Sequence, residues 1–282
     1  MIVYEATKSL EKEKRLDAIA EKVGDLVAKV VPPGPVKDAL SGTWLGHTLH
    51  PVLTDLPIGA WVSATALDLV GGEESEEAAR KLIGLGILAS LPTAASGFSD
   101  YSDTMGGERR VGLTHAAFNV AALALFGASY SARRNGSSLK GKTLSLLGIS
   151  AASVGAYLGG HLSLDMGVGV DHTAYESGPT DWSPTVPESE LEEGKATKVE
   201  VDGVDVMLTR YGGRVCALSD RCTHAGGPLN EGTIKDGSVK CPWHGSVFSL
   251  DDGSVQQGPA RSPQPAYETR VVDGRVEVRS TE

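Results

Sequence analysis

Cysteine is scarce: the 282 residues hold three, and two of them sit beside histidines, so no disulfide framework can form. Thiol usage therefore leaves the redox compartment open. Basic residues are in deficit too. The net charge is −10, which argues against a nucleic-acid partner. The deficit is uneven, since residues 1–164 come to −1 and residues 165–282 to −9. Residues 1–31 lack the apolar core of a signal peptide. Only 38 residues follow His244, too few for a large catalytic domain after it. The chain nevertheless exceeds one typical domain, and its composition points to two parts.

Two short boxes near the C-terminus carry the chemistry: Cys222-Thr223-His224 and Cys241-Pro242-Trp243-His244, with sixteen residues between them. Each sets one thiolate and one imidazole in a single tight turn. Two sulfurs for one iron and two imidazoles for the other is the ligand set of a Rieske [2Fe–2S] centre. Cys222 and Cys241 would hold the buried iron, His224 and His244 the outer one. The same four residues also suit tetrahedral zinc. Against zinc, Gly226-Gly227-Pro228 and Gly245-Ser246 follow the boxes. These small, turn-forming residues let two loop tips close over an inorganic core and aim N–H groups at its sulfides. Ser246 can add a hydroxyl donor. Residues 230–240 read as turn, short strand, turn, with no helix of the kind a zinc finger needs.

Residues from about 195 to 280 resemble the Rieske domain family throughout. The resemblance rests on both boxes and on alternating runs at 198–201, 204–208 and 214–218 that read as short strands. Val247-Phe248-Ser249-Leu250 then leads through Asp252-Gly253 to a loop bearing Pro259, Pro263 and Pro265. It implies an all-β antiparallel sandwich with the cluster at one tip under the proline loop. Quinol-oxidising members carry an extra, disulfide-bonded cysteine in each cluster loop, and the matching positions here are Gly227 and Trp243. High-potential members place a tyrosine hydroxyl where this chain has Phe248. Without that hydrogen bond the potential is expected in the lower part of the class range, as in ferredoxin- or oxygenase-type centres. Cys216 falls in a strand and reads as a core residue.

The first part reads as an all-α four-helix bundle, residues 40–172, with apolar stretches at 49–71, 82–98, 111–132 and 143–164. The third and fourth each lie within 22 residues free of Lys, Arg, Asp and Glu, enough to cross a bilayer. The second has 18, and Asp55 and Asp68 interrupt the first. Gly, Ala and Ser dominate all four, which suits close packing of membrane helices. Trp44, Trp61, Tyr101, Tyr130 and Tyr157 offer interfacial anchors. The near-neutral mean hydropathy leaves a soluble, alanine-rich bundle open. Leu16, Ile19, Val23, Leu26 and Val30 recur at helical steps, so residues 1–33 read as an amphipathic surface helix ended by Pro32-Pro33. Residues 173–194 are left as a linker.

Five histidines lie outside the boxes: His47, His50, His115, His161 and His172. In an up-and-down bundle they fall toward the end that carries the β domain, as do Asp55 and Asp100. Ionisable groups at membrane depth are costly, and their default reading is function. Paired imidazoles can ligate a b-type haem, and His with Asp can bind another metal such as iron or zinc. They can also exchange protons at a quinone pocket, or simply bond separately to carbonyls and water. Residues 40–172 resemble an uncharacterised family of small four-helix membrane domains. That resemblance rests on Gly46-His47-Thr48-Leu49-His50-Pro51, on 55–61, on Thr114-His115 and on Gly159-Gly160-His161-Leu162.

These readings lead to the expectation of a multi-pass cell-membrane Rieske protein carrying single electrons between a membrane donor and a separate acceptor. It would be a component of an oxidoreductase system rather than a complete enzyme. The ferredoxin-type electron supply of a Rieske oxygenase is the alternative, and a redox sensor a third. An acidic module implies a redox partner with a basic docking face. Arg80, Lys81, Arg133, Arg134, Lys140 and Lys142 fall in loops on one side, and the positive-inside rule then leaves the Rieske domain outside the cytoplasm.

Overall fold

The computed structural model describes residues 2–280 and divides into two compact units. Residues up to Val31 and Leu49–Val168 form one, and Pro32–Thr48 with the chain from Gly169 onward form the other. Residues 32–48 thus belong with the C-terminal part, not with the bundle they precede. The helices are α1 (Ile2–Glu11), α2 (Asp17–Val30), α3 (Pro35–Ser41), α4 (Leu49–Val70), α5 (Glu76–Tyr101), α6 (Gly106–Arg134) and α7 (Ser138–Leu164).

The helical unit is built the opposite way round from a water-soluble bundle. Small residues make up much of its interior, with Ala60, Ala64, Ala79, Gly86, Ala122 and Gly148 buried beside Ile83, Val111, Phe126 and Leu158. Its exterior carries Leu69, Leu85, Leu88, Leu91, Val120 and Leu147. Small interior residues bring backbones close, and the large apolar ones are left for the surroundings. Trp61 is an exception with a cause. A Cβ on Gly86 would lie 2.3 Å from its indole nitrogen, so the glycine makes the slot that admits the ring, and Phe126 stacks on it with centroids 4.3 Å apart. Trp61 and Tyr101 are therefore core residues rather than interfacial anchors, whereas Trp44 and Tyr157 are exposed.

Among the described residues, three helices, α5, α6 and α7, are long and apolar enough to cross a membrane. Helix α4, expected as a fourth span, is not among them and carries Asp55 and Asp68. It is tied in by charge instead: Arg133 Nη2 donates to Asp68 Oδ2 at 2.5 Å, with both side chains buried.

The N-terminal segment is two helices, not one. Its contact face is also different from the expected apolar stripe. Ala20 and Gly24 are buried, the Tyr101 hydroxyl donates to Ala20 O at 3.0 Å, and Arg110 forks onto Asp17. Ile19, Leu26 and Val30 face outward.

The second unit is a β structure of two sheets. A six-stranded sheet has the order β1-β10-β9-β4-β3-β2, from β1 (Ser183–Pro187), β2 (Ala196–Val201), β3 (Val204–Tyr211), β4 (Arg214–Ser219), β9 (Ala266–Val272) and β10 (Arg275–Ser280). A four-stranded sheet runs β5 (Thr233–Lys235), β6 (Ser238–Lys240), β7 (Val247–Ser249) and β8 (Val255–Gln257). Every pairing between these strands is antiparallel. The expected linker at 173–194 contains β1, which pairs with β10. Cys216 lies in the core with Met207, Leu218 and Phe248.

Candidate metal centre

One box follows β4 of the larger sheet and the other joins β6 to β7 of the smaller one. Their turns are built alike. Cys222 N donates to Gly227 O (2.9 Å) and Gly226 N to Cys222 O (2.8 Å), while Cys241 N donates to Ser246 O (2.8 Å) and Gly245 N to Cys241 O (3.2 Å). Gly226 and Gly245 close these turns at φ of 74° and 80°, a left-handed conformation that side chains disfavour. The turns bring the four side chains together. Cys222 and Cys241 are buried in the apolar core with Phe248, and the His224 and His244 rings lie 5.0 Å apart.

The two thiols lie side by side. Cys241 pushes the Cys222 thiol far up, with burial adding to it, and Cys222 in turn draws Cys241 down. Backbone N–H groups of His224 and Ala225 face the first sulfur, and those of Trp243 and His244 the second. Two sulfurs that resist holding both negative charges alone, ringed by donors, fit a cationic centre between them. Burial holds His224 well below the ordinary imidazole range, helped by the nearby His244, Arg261, Lys37 and His172. A neutral imidazole is the ligand form. The residues therefore fit a sulfur-and-nitrogen-held cluster.

Ser246 is fully buried, and its Oγ accepts from Ala260 N at 2.9 Å; the hydroxyl hydrogen remains for donation. Gly227 and Trp243, the positions of the family's extra cysteines, are neighbours. A Cβ on Gly227 would lie 3.0 Å from both the indole and Cys241 Sγ. The indole thus packs against the opposite loop where a disulfide would join them.

Gln264, far from either box in sequence, was not legible as a site residue. It is buried, donates Nε2 to Ser219 O (2.9 Å) and Arg221 O (2.7 Å), and accepts at Oε1 from Thr223 N (3.1 Å). Thr223 in turn donates to Ser262 O (3.0 Å). No local pattern announces such a clamp.

The five further histidines divide between the two units. His47 and His172 belong to the β unit. His47 Nδ1 contacts Thr48 O at 3.2 Å. His172 N donates to Thr223 O at 3.1 Å, and its ring lies 3.5 Å from where a Gly226 Cβ would be. In the helical unit His50 and His115 pair edge to face at 6.2 Å. His50 Nδ1 lies 2.9 Å from Thr93 O and His115 Nδ1 2.8 Å from Gly155 O. Each ring also fills a notch, at Gly97 and Gly159 respectively. His161 stands apart with Glu11 (2.7 Å) and Asp165 (3.5 Å). Those three could hold a metal ion by geometry, but Lys8 already bridges both carboxylates. Asp55 and Asp100 do not join this group.

A sulfur pair, an imidazole pair and two glycine turns on a small antiparallel sheet define an iron–sulfur domain of the Rieske class. Residues 181–268 match the Rieske [2Fe-2S] domain family and residues 46–172 match "Predicted membrane protein (DUF2231)". The chain is 32% identical over 92 residues to human apoptosis-inducing factor 3, covering 33% of this chain but 15% of that relative. It therefore spans only a small part of that protein. Over 98 residues it is 31% identical to the anthranilate 1,2-dioxygenase ferredoxin subunit of Burkholderia cepacia, covering 35% of this chain and 91% of the relative. Among solved structures, the ferredoxin of carbazole 1,9a-dioxygenase from Nocardioides aromaticivorans is 28% identical with a TM-score of 0.35, covering 36% of this chain and 100% of that one. The chain belongs to the Rieske [2Fe–2S] family. A domain of this class carries a [2Fe–2S] cluster.

Proposed function

We propose that this chain is a membrane-anchored Rieske protein that passes single electrons between a membrane donor and a separate acceptor. Cys222 and Cys241 hold the inner iron and His224 and His244 the outer one, with Ser246 donating toward a sulfur. The cluster supplies one-electron chemistry. The chain's own residues hold it dry on the sulfur side, through Phe248 and Leu229, and keep the His224 imidazole neutral by burial.

The observation that carries the anchoring is the bundle's exterior of exposed Leu and Val around an interior rich in Gly, Ala and Ser. In water that exterior would be an aggregation surface; in lipid it costs nothing. The outward Ile19, Leu26 and Val30 of α2 suit an interfacial helix. Positive charge around the α4–α5 and α6–α7 loops supports a Rieske domain outside the cytoplasm, and protease protection of sealed vesicles tests that orientation. The acidic β part supports a partner with a basic face. His50 and His115 are the pair that would meet a haem, another metal or a quinone in the bundle. A Soret band in purified protein tests the haem.

A second reading, supply of electrons to an oxygenase, is favoured by the near-complete coverage of a dioxygenase ferredoxin subunit. Reduced membranes bearing the protein should lose their cluster signal on adding the true acceptor. Re-oxidation by a Rieske oxygenase but not by a basic carrier protein would select this second reading.

A further inference from the structure

The segment Pro32–Thr48 is separated in sequence from the boxes by the whole helical bundle, yet it is docked on the cluster end of the β unit. Four contacts fix it there. Gly258 N donates to Asp38 Oδ1 (3.1 Å), the Thr43 hydroxyl to Ala260 O (3.0 Å), and Arg261 Nε to Ser41 O (2.7 Å). Pro33 lies 3.9 Å from the position of a Gly245 Cβ, in the second cluster turn. Gly258, Ala260 and Arg261 belong to the proline loop, and Ala260 N is also the donor to Ser246. The segment therefore grips the loop that closes over the cluster.

Docking in this way buries Lys37, next to Asp38, to 3% exposure. A lysine is rarely buried so fully, and its charge there is little screened by solvent or salt. Lys37 and Arg261 both lie near His224, itself 8% exposed.

We propose that residues 32–48 are a built-in cover on the imidazole end of the cluster, and that Lys37, seated by this cover, is a positioning residue for charge that raises the cluster's reduction potential. Arg261 acts in the same sense. Reduction adds one electron and so one negative charge to the cluster end. A fixed positive charge beside an outer-iron ligand stabilises that state relative to the oxidised one. No bond forms or breaks, and no proton is transferred. The cover thus offsets part of the lowering expected from Phe248 in place of a hydroxyl donor. The proposal rests on the ligand assignment above.

The test is an EPR-monitored redox titration of the full-length protein in its wild-type, K37Q, K37R and K235Q forms. Lys235 is an exposed lysine of the same domain and reports the effect of losing a screened charge. The K37Q midpoint should shift downward further than K235Q, K37R should stay near wild type, and the line shape should be unchanged. An unchanged K37Q midpoint overturns the proposal. So does a K37R midpoint as low as that of K37Q, which would assign the effect to packing. Should K37Q fail to retain the cluster, R261Q is titrated instead, with the same downward shift expected and an unchanged midpoint contradicting it. A wild-type protein with no rhombic signal would sink the ligand assignment itself, a different outcome from a normal signal with an unmoved midpoint.

Discussion

Gln264 satisfies two carbonyls and one N–H of the stretch Ser219–Thr223 from a loop some forty residues away. Changing it to Leu keeps the volume but leaves buried polar groups unmet, each costing about 1–3 kcal/mol. Q264L is expected to lose about 2–4 kcal/mol, read as a lower urea midpoint for bleaching of the cluster. An unchanged midpoint would mean that the loop holds itself. Tyr267 gives a pH dependence. Burial, with Glu176 nearby, pushes its phenol up to about 12 from 10.0. The folded state therefore holds this proton more tightly than the unfolded chain. Its contribution is complete below about pH 10 and is lost as pH rises from 10 to 12, a decline of about 2–3 kcal/mol. In Y267F that part of the decline should be missing from urea titrations across the same window. At this scale the boxes were legible because ligand chemistry dictates residue type and spacing within one turn. Gln264 and Lys37 were not, since each acts only after distant segments of chain come together.

The long helices were legible as elements because their charge-free stretches are uninterrupted, and each of α5, α6 and α7 extends beyond its apolar stretch into charged flanks. Which face each helix buries was harder to read. In α2 the largest apolar residues recur with helical spacing, yet Ala20 and Gly24 make the contact because Arg109 and Tyr101 pack there. Spacing identifies a stripe but not what covers it. Helix α4 depends on the buried Arg133–Asp68 pair. Removing one partner strands a buried charge, so D68N is expected to cost about 3–5 kcal/mol, measured as a fall in thermal stability in detergent. A D68L/R133L double variant should recover much of that loss. A double-variant loss equal to the sum of the two single-variant losses would show that the pair is not coupled. His50 and His115 tie α4 to α5 and α6 to α7, and such interhelical bonds are worth roughly 1 kcal/mol each.

The whole molecule joins a near-neutral helical part to an acidic cluster-bearing part. Electron exchange with a basic carrier should slow as ionic strength passes ~0.1 M, where the Debye length falls to about 10 Å. Stopped-flow rates at several salt concentrations check this, and a rate independent of salt would remove charge steering. The five histidines outside the boxes divide between the two units. His47 and His172 follow the β unit, because the chain enters and leaves the bundle through segments that pack on the other unit. Sequence position near a helix end does not say which unit a flanking residue joins.

The most direct test is EPR of anaerobically reduced membranes before and after washing with high salt and with alkaline carbonate. A protein held by its apolar bundle should keep the rhombic signal of a histidine-ligated [2Fe–2S] cluster in the washed pellet, and C222S should abolish that signal. Recovery of the signal in the supernatant, or a purified chain containing zinc and no reducible cluster, would contradict a membrane-held electron carrier.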